Sequence, residues 1–417
     1  MPDASDITRR LFSLSARGIK FGLDKTKEAA RRLADPQGAY PCIHVAGTNG
    51  KGSTCAYIES ALRRYGHTTG LFMSPHLVDF EERFLINGRP VPRNSWMAVY
   101  RDAAPVIEEL KLTFFEATTL MAFELFRREK VTFAVFEVGM GGRLDATNIV
   151  VPRVSVITAI DFDHREFLGN DLIAIAREKL GIVKPGVPVV MAAPAQQDVR
   201  EEAERVCRAA GAQIRFVDTA AMESGGARVA IEGRAGRIML PLRGRYQAIN
   251  AACALSALEQ AECTNAEKNA AGIAGAYLPG RFQAVNCKGK TVVLDVGHNP
   301  QAADVLVQTL KAEYPGQRVL FVAGIMKDKE HAPMVRRYST IASGFIFVLP
   351  HTERAAMPET LMAHVPAGFK GTRRIVPEIR DAADAALSTA APLICICGSF
   401  YTVGEAMTEL GIKPFPD

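Results

Sequence analysis

A glycine-rich segment, residues 47–54 with the sequence GTNGKGST, holds the residue types best suited to chemistry in this chain. Glycines let successive backbone N–H groups turn toward a phosphate chain, and a lysine here neutralises the outer phosphates. The segment departs from the common Walker pattern, because its first glycine is nearer the lysine and Gly52 separates the lysine from the hydroxyl residues. A capped glycine turn is the alternative, but a lysine inside such a turn has no packing purpose. We therefore predict that nucleotide phosphates bind at Thr48, Asn49, Gly50, Lys51, Gly52 and Ser53.

The sequence around this segment predicts the elements that hold it. An apolar run, YPCIHVAG, precedes it, and a helical pattern, TCAYIESALRRYGH, follows it. Similar strand and helix patterns recur up to about residue 193, and their strands are apolar on both faces. Such strands belong to the centre of a parallel sheet covered by helices, with ligands at its carboxyl edge. The sequence therefore predicts an α/β fold whose N-terminal domain is a P-loop mononucleotide-binding domain with a mainly parallel sheet.

Three polar residues each stand just beyond an apolar run, where strand ends would converge on bound phosphates: Ser74, Glu137 and His164. Oxygen ligands with an occasional imidazole suit Mg²⁺, which bridges and neutralises phosphate oxygens during transfer. Each residue also has an ordinary interpretation, Glu137 as a solvated or helix-capping carboxylate and His164 as a hydrogen-bonded core histidine. Their shared location favours a magnesium site.

The sequence pattern changes twice after residue 210. Residues 211–245 form short alternating runs punctuated by glycine, which predict antiparallel strands at an edge of the first domain. After a predicted helix over 247–262, the stretch KTVVLDVGHNP begins a fresh series of strands and helices. We predict an ATP-binding domain over residues 1–284 and a smaller, Rossmann-like α/β domain over residues 285–417.

Asp295 and His298 lie at the end of the first strand of this second series. A polar side chain and a histidine at a strand end are typical site groups in a doubly wound sheet. The same segment also makes an ordinary turn, since Asp, Gly, Asn and Pro all favour one. The pattern alone leaves both interpretations open.

Composition limits the kind of partner. The 417 residues are 48% hydrophobic and 23% charged, the balance of an ordinary globular protein. Fifty Lys and Arg residues against 45 Asp and Glu residues give a formal charge of +5, too weak a field to predict nucleic acid binding. No apolar run is long enough to span a bilayer, and the start lacks a signal-peptide core. We therefore expect no membrane partner and a cytoplasmic location.

Seven motifs occur in one order along the chain: GTNGKGS, MSPHL, EVGMGGRLDATN, a DH pair, REKLGI, GRFQ and DVGHNP. Together they resemble the folylpolyglutamate synthase and dihydrofolate synthase family of the muramyl ligase superfamily, and the resemblance covers nearly the whole chain. It implies an ADP-forming ligase of folate biosynthesis that uses ATP and two Mg²⁺ ions. Such a ligase adds L-glutamate to dihydropteroate and to reduced folates through an acyl phosphate.

The resemblance also implies residue roles. Catalytic positions match Lys51, Lys179 and His298, and nucleotide-contacting positions match Asn250, Arg281 and Asp295. By composition Lys179 is an exposed helix lysine. In related ligases, however, the matching lysine is carbamylated and helps to hold a second Mg²⁺. The implied metal contacts are Ser53, Ser74, Glu137, His164 and carbamylated Lys179, and the site is expected to be complete only when both domains close.

Three segments match those that contact dihydropteroate in bifunctional relatives. Phe114 and Phe115 are suited to stack on a flat bicycle and Asp145 to accept its ring N–H groups, although isolated aromatic residues more often belong to the core. Arg83 either faces an anionic substrate or is a surface arginine. The predicted folate-binding residues are Ile19, Lys20, Phe21, Gly22, Arg83, Thr113, Phe114, Phe115, Glu116, Leu144, Asp145 and Ala146.

Three other functions remain open. The first alternative is a folylpolyglutamate synthase that does not use dihydropteroate, and the second is another muramyl-type amino acid ligase. The third is a switch that hydrolyses ATP without ligation. Muramyl-type ligases usually carry a separate N-terminal domain for a uridine nucleotide, whereas here the glycine-rich segment begins within the first 50 residues. The family implies a monomer whose partners are small molecules: ATP, L-glutamate, dihydropteroate or reduced folates.

Overall fold

The computed structural model describes residues 4–18, 22–162, 169, 171–218 and 228–415, and the backbone of 222–223. The chain divides into two compact units, one of Met1–Ala220, Ile231–Ile238 and Ile249–Tyr277, the other of Ala221–Ala230, Met239–Ala248 and Leu278–Asp417. Each is an α/β unit with a mainly parallel sheet, so the predicted fold class is confirmed. The cut between residues 284 and 285 stays a prediction. No helix among the described residues is long and apolar enough to cross a bilayer.

The first unit is built on an eight-stranded sheet. Its strands are β1 (Cys42–Ala46), β2 (Thr69–Phe72), β3 (Phe84–Ile86), β4 (Arg89–Pro90), β5 (Phe133–Glu137), β6 (Val154–Ile157), β7 (Val189–Ala192) and β8 (Ile214–Val217). They lie in the order β4-β3-β2-β5-β1-β6-β7-β8. The six strands from β2 to β8 in this order are parallel, and β3 and β4 add an antiparallel edge.

Helices cover this sheet through two apolar clusters. The helices up to residue 274 are α1 (Ala4–Ser13), α2 (Asp24–Arg32), α3 (Lys51–Arg64), α4 (Arg93–Glu109), α5 (Phe114–Arg128), α6 (Leu172–Leu180), α7 (Gln197–Ala209), α8 (Tyr246–Gln260) and α9 (Ala266–Ala274). One cluster packs α1, α4 and α5 against β2 and β5 through Trp96, Phe123 and Phe136. The other packs α6 and α7 against β6 and β7 through Leu180 and Met191. Burial of these side chains supplies the main driving force for folding.

The strand register brings four carboxyl ends to one edge. The central strand β1 pairs with β5 and β6, placing Val45 opposite Glu137 and Ala46 opposite Ile157. On the far side of β5, Phe72 of β2 lies opposite Phe136. Residues that follow β1, β2, β5 and β6 therefore meet at this edge, as expected for a ligand site of a parallel sheet.

The antiparallel prediction for residues 211–245 is wrong in its first part. Strand β8 (214–217) pairs in parallel with β7. Its alternation arises because it is the last strand of the sheet and is only partly buried. The strands β9 (Met222–Glu223), β10 (Val229–Gly233) and β11 (Gly236–Met239) form a separate sheet, in which β9 and β10 are antiparallel.

The second unit holds a six-stranded sheet. Its strands are β12 (Gln283–Cys287), β13 (Lys290–Asp295), β14 (Val319–Ala323), β15 (Ala342–Phe347), β16 (Thr372–Ile375) and β17 (Leu393–Cys397), in the order β12-β13-β17-β14-β15-β16. Only β12 is antiparallel to its neighbour. The helices are α10 (Pro300–Glu313), α11 (His331–Ser339), α12 (Pro358–Ala363), α13 (Ile379–Leu387) and α14 (Phe400–Glu409). Asp295 at the end of β13 lies opposite Cys397 of β17, which places it at the carboxyl edge.

The packing of α9 on α3 generates a test of the fold. A Cβ on Gly272 would lie 2.2 Å from Ala61 Cα, so Gly272→Ala forces the two helices apart. We expect it to lower the free energy of unfolding by about 1–3 kcal/mol, although alanine is the better helix former. Gly368→Ala is the control, because a Cβ there meets nothing within 4 Å. Urea denaturation of both variants measures the difference, and equal midpoints would contradict this packing.

Candidate active site

The phosphate loop, residues 47–50, connects β1 to α3. Gly47 has φ 149° and Gly50 has φ 89°, values that residues with a side chain rarely adopt. A Cβ on Gly47 would lie 1.8 Å from Thr158 Oγ1, and one on Gly50 would lie 2.2 Å from Asn250 Oδ1. Both glycines are therefore required by close approach as well as by backbone conformation.

The middle of the phosphate loop is fixed to the chain that follows β6. The Thr48 N–H donates to Ala159 O at 2.8 Å, and Asn49 forms an isolated antiparallel bridge with Ala159. The Thr48 hydroxyl donates to Asp161 O at 2.8 Å and accepts from the Asp161 N–H at 3.0 Å. These bonds hold the loop in one shape, so its amides are already arranged before a ligand arrives.

Helix α3 begins at Lys51, directly after the phosphate loop. Its N-cap is Gly50, which has no side chain to bond the first amides, and its first turn carries no acidic residue. Lys51 turns back over the loop, where its Nζ donates to Gly47 O and Thr48 O, each at 3.1 Å. A helix N-terminus with uncapped amides beside a fixed ammonium group is an anion site. Ser53 is buried in the same turn.

Lys179 is brought to the same loop. It lies in the last turn of α6, is only 4% exposed, and donates from Nζ to Gly47 O at 3.0 Å. The interpretation of Lys179 as an exposed helix lysine is therefore wrong. The end of α6 is held by the segment after β5, where the Arg143 N–H donates to Glu178 O and Asn148 Nδ2 donates to Gly181 O.

Glu137 and Ser74 meet at the neighbouring strand ends. The Ser74 N–H donates to Glu137 Oε2 at 3.1 Å, and Glu137 is buried at the end of β5. His164 lies outside the described residues. Within the part of the chain that the structure describes, no three His, Cys, Asp or Glu side chains form a metal-binding group.

Two of the predicted folate residues define where α5 begins. Thr113 Oγ1 accepts from the Glu116 N–H at 3.3 Å, and Glu116 Oε2 accepts from the Thr113 N–H at 2.8 Å. This capping box fixes Phe114 and Phe115 in the first turn. Phe115 lies against Gly139, where a Cβ would be 2.5 Å from the ring Cζ. Thr113 and Glu116 thus position the aromatic pair.

Phe114 is at the centre of a group that sequence reasoning found only in part. Phe12 of α1 stacks on it with ring centroids 5.2 Å apart, and Arg83 Cζ lies 4.9 Å from its centroid. Arg83 Nε donates to His76 Nδ1 at 2.8 Å. Arg83 is 5% exposed, so its interpretation as a surface arginine is wrong. Burial, with the Arg83 charge, holds the pKa of His76 well below its usual value.

His76 and Phe12 differ in how visible they were in the sequence. His76 belongs to the MSPHL motif, which could have drawn attention to it. Phe12 carries no motif, and only the fold shows that it reaches Phe114.

Asp145 organises the segment that follows β5. Its Oδ2 accepts from the Gly139 and Met140 N–H groups, each at 3.0 Å, and its Oδ1 accepts from the N–H and hydroxyl of Thr147, at 3.0 and 2.5 Å. Burial raises the pKa of Asp145, and these bonds oppose the rise. Leu144 is half-buried and Ala146 buried on either side of it.

The remaining predicted folate residues lie near the N-terminus. Gly22 has φ 145° and open surroundings. Ile19, Lys20 and Phe21 lie outside the described residues.

The second unit brings its own predicted residues together. Asp295 accepts from the Phe282 N–H at 2.9 Å and from the Gly297 N–H at 2.8 Å. Burial raises the pKa of Asp295, and these bonds together with the charges of Arg281 and His298 only partly oppose the rise. Phe400 lies beneath Arg281, whose Cζ is 4.9 Å from its centroid, and its ring centroid is 6.1 Å from that of His298. Arg281, Asp295 and His298 thus form one group at the carboxyl edge of that sheet. Phe400 is a member of this group that sequence reasoning missed.

Comparison with known proteins identifies the class of protein to which this architecture belongs. The family model "Mur ligase middle domain" matches residues 45–258, and the model "Mur ligase, glutamate ligase domain" matches residues 280–400. Together they place the protein among the Mur-type ligases. Escherichia coli dihydrofolate synthase/folylpolyglutamate synthase is 34% identical over 97% of this chain and 94% of its own length. The chain therefore belongs to the dihydrofolate synthase/folylpolyglutamate synthase family.

Two solved structures show the same fold with ligands. Escherichia coli FolC in complex with DHPP and ADP is 33% identical, covers 98% of each chain and has a TM-score of 0.87. A bifunctional folylpolyglutamate synthase/dihydrofolate synthase with Mn, AMPPNP and L-glutamate bound is 32% identical, with a TM-score of 0.86. That match covers 99% of this chain and all of the other.

The close approach at Gly50 generates a test of the phosphate loop. Gly50→Ala combines left-handed strain with a Cβ placed against Asn250, so we expect at least a tenfold weaker affinity for ADP. Gly66→Ala is matched for backbone conformation, with φ 86°, but its Cβ meets nothing within 4 Å. The control should keep its affinity. Titration calorimetry compares the two, and an unchanged dissociation constant for Gly50→Ala would contradict the assignment of this loop.

Proposed function

We propose that this protein is an ATP-dependent ligase that joins L-glutamate to dihydropteroate and to reduced folates. The observation that carries the proposal is the phosphate loop, where Lys51 and Lys179 both donate to the Gly47 carbonyl at the carboxyl edge of a parallel sheet. Membership of the dihydrofolate synthase/folylpolyglutamate synthase family supports the two acceptor substrates. The solved relative that holds AMPPNP and L-glutamate supports ATP and glutamate as the other two.

The chemistry follows from the inertness of a carboxylate toward amines. Its carbonyl is electron-rich and oxide is a poor leaving group, so the carboxylate must first be converted into a mixed anhydride with phosphate. The carboxylate attacks the γ-phosphorus of ATP, which gives an acyl phosphate and ADP. The amino group of glutamate then attacks the carbonyl carbon, and the tetrahedral intermediate collapses to an amide with release of phosphate. Lys51 and the loop amides spread the charge of the transferring group.

His298 is the candidate for guiding the amine. Its Nδ1 lies 3.2 Å from Val296 O, which can only accept, so Nδ1 carries the proton. In the neutral ring the lone pair is then on Nε2. This nitrogen is suited to receive the proton that the amine loses as it forms the amide bond.

The metal assignment rests on the donors at the strand ends. Ser53, Ser74 and Glu137 supply two hydroxyls and a carboxylate near the phosphate loop, and this donor set fits Mg²⁺. The ion, when bound, neutralises charge on the phosphate oxygens. Roles for His164 and for carbamylated Lys179 stay predictions, as do the monomeric state and the cytoplasmic location.

Phe114, Phe115 and the Asp145 segment form the proposed folate pocket. Phe115 lies beside Gly139, whose N–H donates to Asp145. A flat ring system bound here would therefore contact an aromatic face and fixed polar groups together. The buried guanidinium of Arg83 lies over Phe114 and adds positive charge for an anionic substrate.

A coupled assay of ADP release tests the function. We expect release to require glutamate together with dihydropteroate or a reduced folate, because ATP is consumed in making the acyl phosphate. Measuring the two acceptors separately distinguishes a bifunctional enzyme from a folylpolyglutamate synthase only. ATP hydrolysis indifferent to glutamate and to both acceptors would instead support a nucleotide switch.

Replacing Lys51 tests the part of the site on which the proposal rests. Lys51→Ala should lower the turnover rate by at least a hundredfold, since it removes the ammonium that lies over the phosphate loop. Lys311→Ala on the exposed side of α10 controls for loss of one positive charge and should keep full activity. Thermal denaturation confirms that both variants fold. Retained ligation by folded Lys51→Ala would refute the assigned role.

A further inference from the structure

A buried histidine connects the strand before the phosphate loop to the Asp145 segment. His44 lies in the middle of β1 and is completely buried. Its Nε2 is 2.8 Å from Thr147 Oγ1, which in turn is 2.5 Å from Asp145 Oδ1. The three side chains form one continuous chain of hydrogen bonds inside the first unit.

Asp145, at the end of this chain, determines which atom donates in each of its hydrogen bonds. The Asp145 carboxylate can only accept, so the single proton of the Thr147 hydroxyl points to Asp145. Thr147 Oγ1 must then accept from His44, which places the ring proton on Nε2. The other ring nitrogen, Nδ1, keeps its lone pair, and within the described residues it is buried without a hydrogen-bond partner.

Stability alone does not account for histidine at this position. A buried ring nitrogen without a partner opposes folding, and an apolar residue of similar volume would avoid that cost. Burial, with the charge of Lys184, also lowers the pKa of His44 to about 3, so the ring contributes no charge near neutral pH. Its one hydrogen bond among the described residues, to Thr147, is directed toward Asp145.

We propose that His44 is a positioning residue for dihydropteroate. It hydrogen-bonds Thr147, and Thr147 in turn fixes the orientation of the Asp145 carboxylate. The inference rests on the proposed function, in which the Asp145 segment forms one side of the folate pocket. Asp145 also holds the Gly139 amide beside Phe115. A loosened carboxylate therefore changes both the polar groups and the aromatic face that a pteridine ring would meet.

An apolar replacement separates positioning from stability. The double variant His44→Leu with Thr147→Val removes the hydrogen-bond chain while keeping the volume nearly constant. We expect the KM for dihydropteroate to rise about tenfold and the KM for ATP to stay within about twofold, while the unfolding midpoint falls because the buried Asp145 carboxylate loses the Thr147 hydroxyl. Thr147→Val alone breaks the same chain of hydrogen bonds, so it replaces the double variant in the KM comparison if the double variant does not fold.

Thr309→Val in the second unit is the matched control. It removes a buried hydroxyl that donates only to a backbone carbonyl, that of Val305, and should leave both KM values unchanged. If the KM values for dihydropteroate and ATP instead rise together as stability falls, His44 is a structural residue and the proposal is wrong. Unchanged KM values in both chain-breaking variants would also overturn it. Wild-type protein that does not use dihydropteroate would refute that half of the proposed function, and this inference with it.

Nitrogen NMR of the His44 ring supplies a second readout that a packing role would not produce. The proposal predicts the Nε2–H tautomer, unchanged between about pH 5.5 and 8, because the ring is neutral throughout this range. A proton on Nδ1, or titration of the ring within that range, would contradict the hydrogen-bond chain.

Discussion

Two lysine side chains converge on one backbone oxygen, the carbonyl of Gly47. Lys51 reaches it from the first turn of α3 and Lys179 from the last turn of α6, at 3.1 and 3.0 Å. The positive charge of Lys51, held in a partly water-excluded site, interacts strongly with an anion, because the effective dielectric constant there is far below that of water. In the proposed function, the shape of the phosphate loop and the placement of both helices are what let a nucleoside triphosphate bind at this edge.

The rest of the first unit can be understood as support for that convergence. The central position of β1 brings the loop beside the ends of β2, β5 and β6, and the contacts of Thr48 with Asp161 hold its shape. The segment after β5 fixes the end of α6, and hence Lys179, through Arg143 and Asn148. The same segment carries Asp145, so one stretch of chain supports both the phosphate loop and the proposed folate pocket.

The sequence predicted the fold class because central parallel strands are apolar on both faces and the glycine-rich segment separates one of them from an amphipathic helix. It failed at β8, where half-burial at the edge of a parallel sheet produces the alternation expected of antiparallel strands. Strand-end residues such as Glu137 were predictable from position alone. Phe12 and His44 were not, because their roles depend on which distant segments they contact, and neither spacing nor hydrophobic pattern records that. Lys179 was indicated by the family resemblance but not by composition.

The central claim is that the site makes a carboxylate reactive by transferring a phosphoryl group to it. Isotope transfer tests this most directly. Dihydropteroate labelled with ¹⁸O in both carboxylate oxygens is incubated with ATP and glutamate, and the released phosphate is analysed by mass spectrometry. The account predicts that one labelled oxygen per turnover appears in the phosphate, because the bridging oxygen of the acyl phosphate leaves with phosphorus. Phosphate without label, alongside normal product formation, would contradict it.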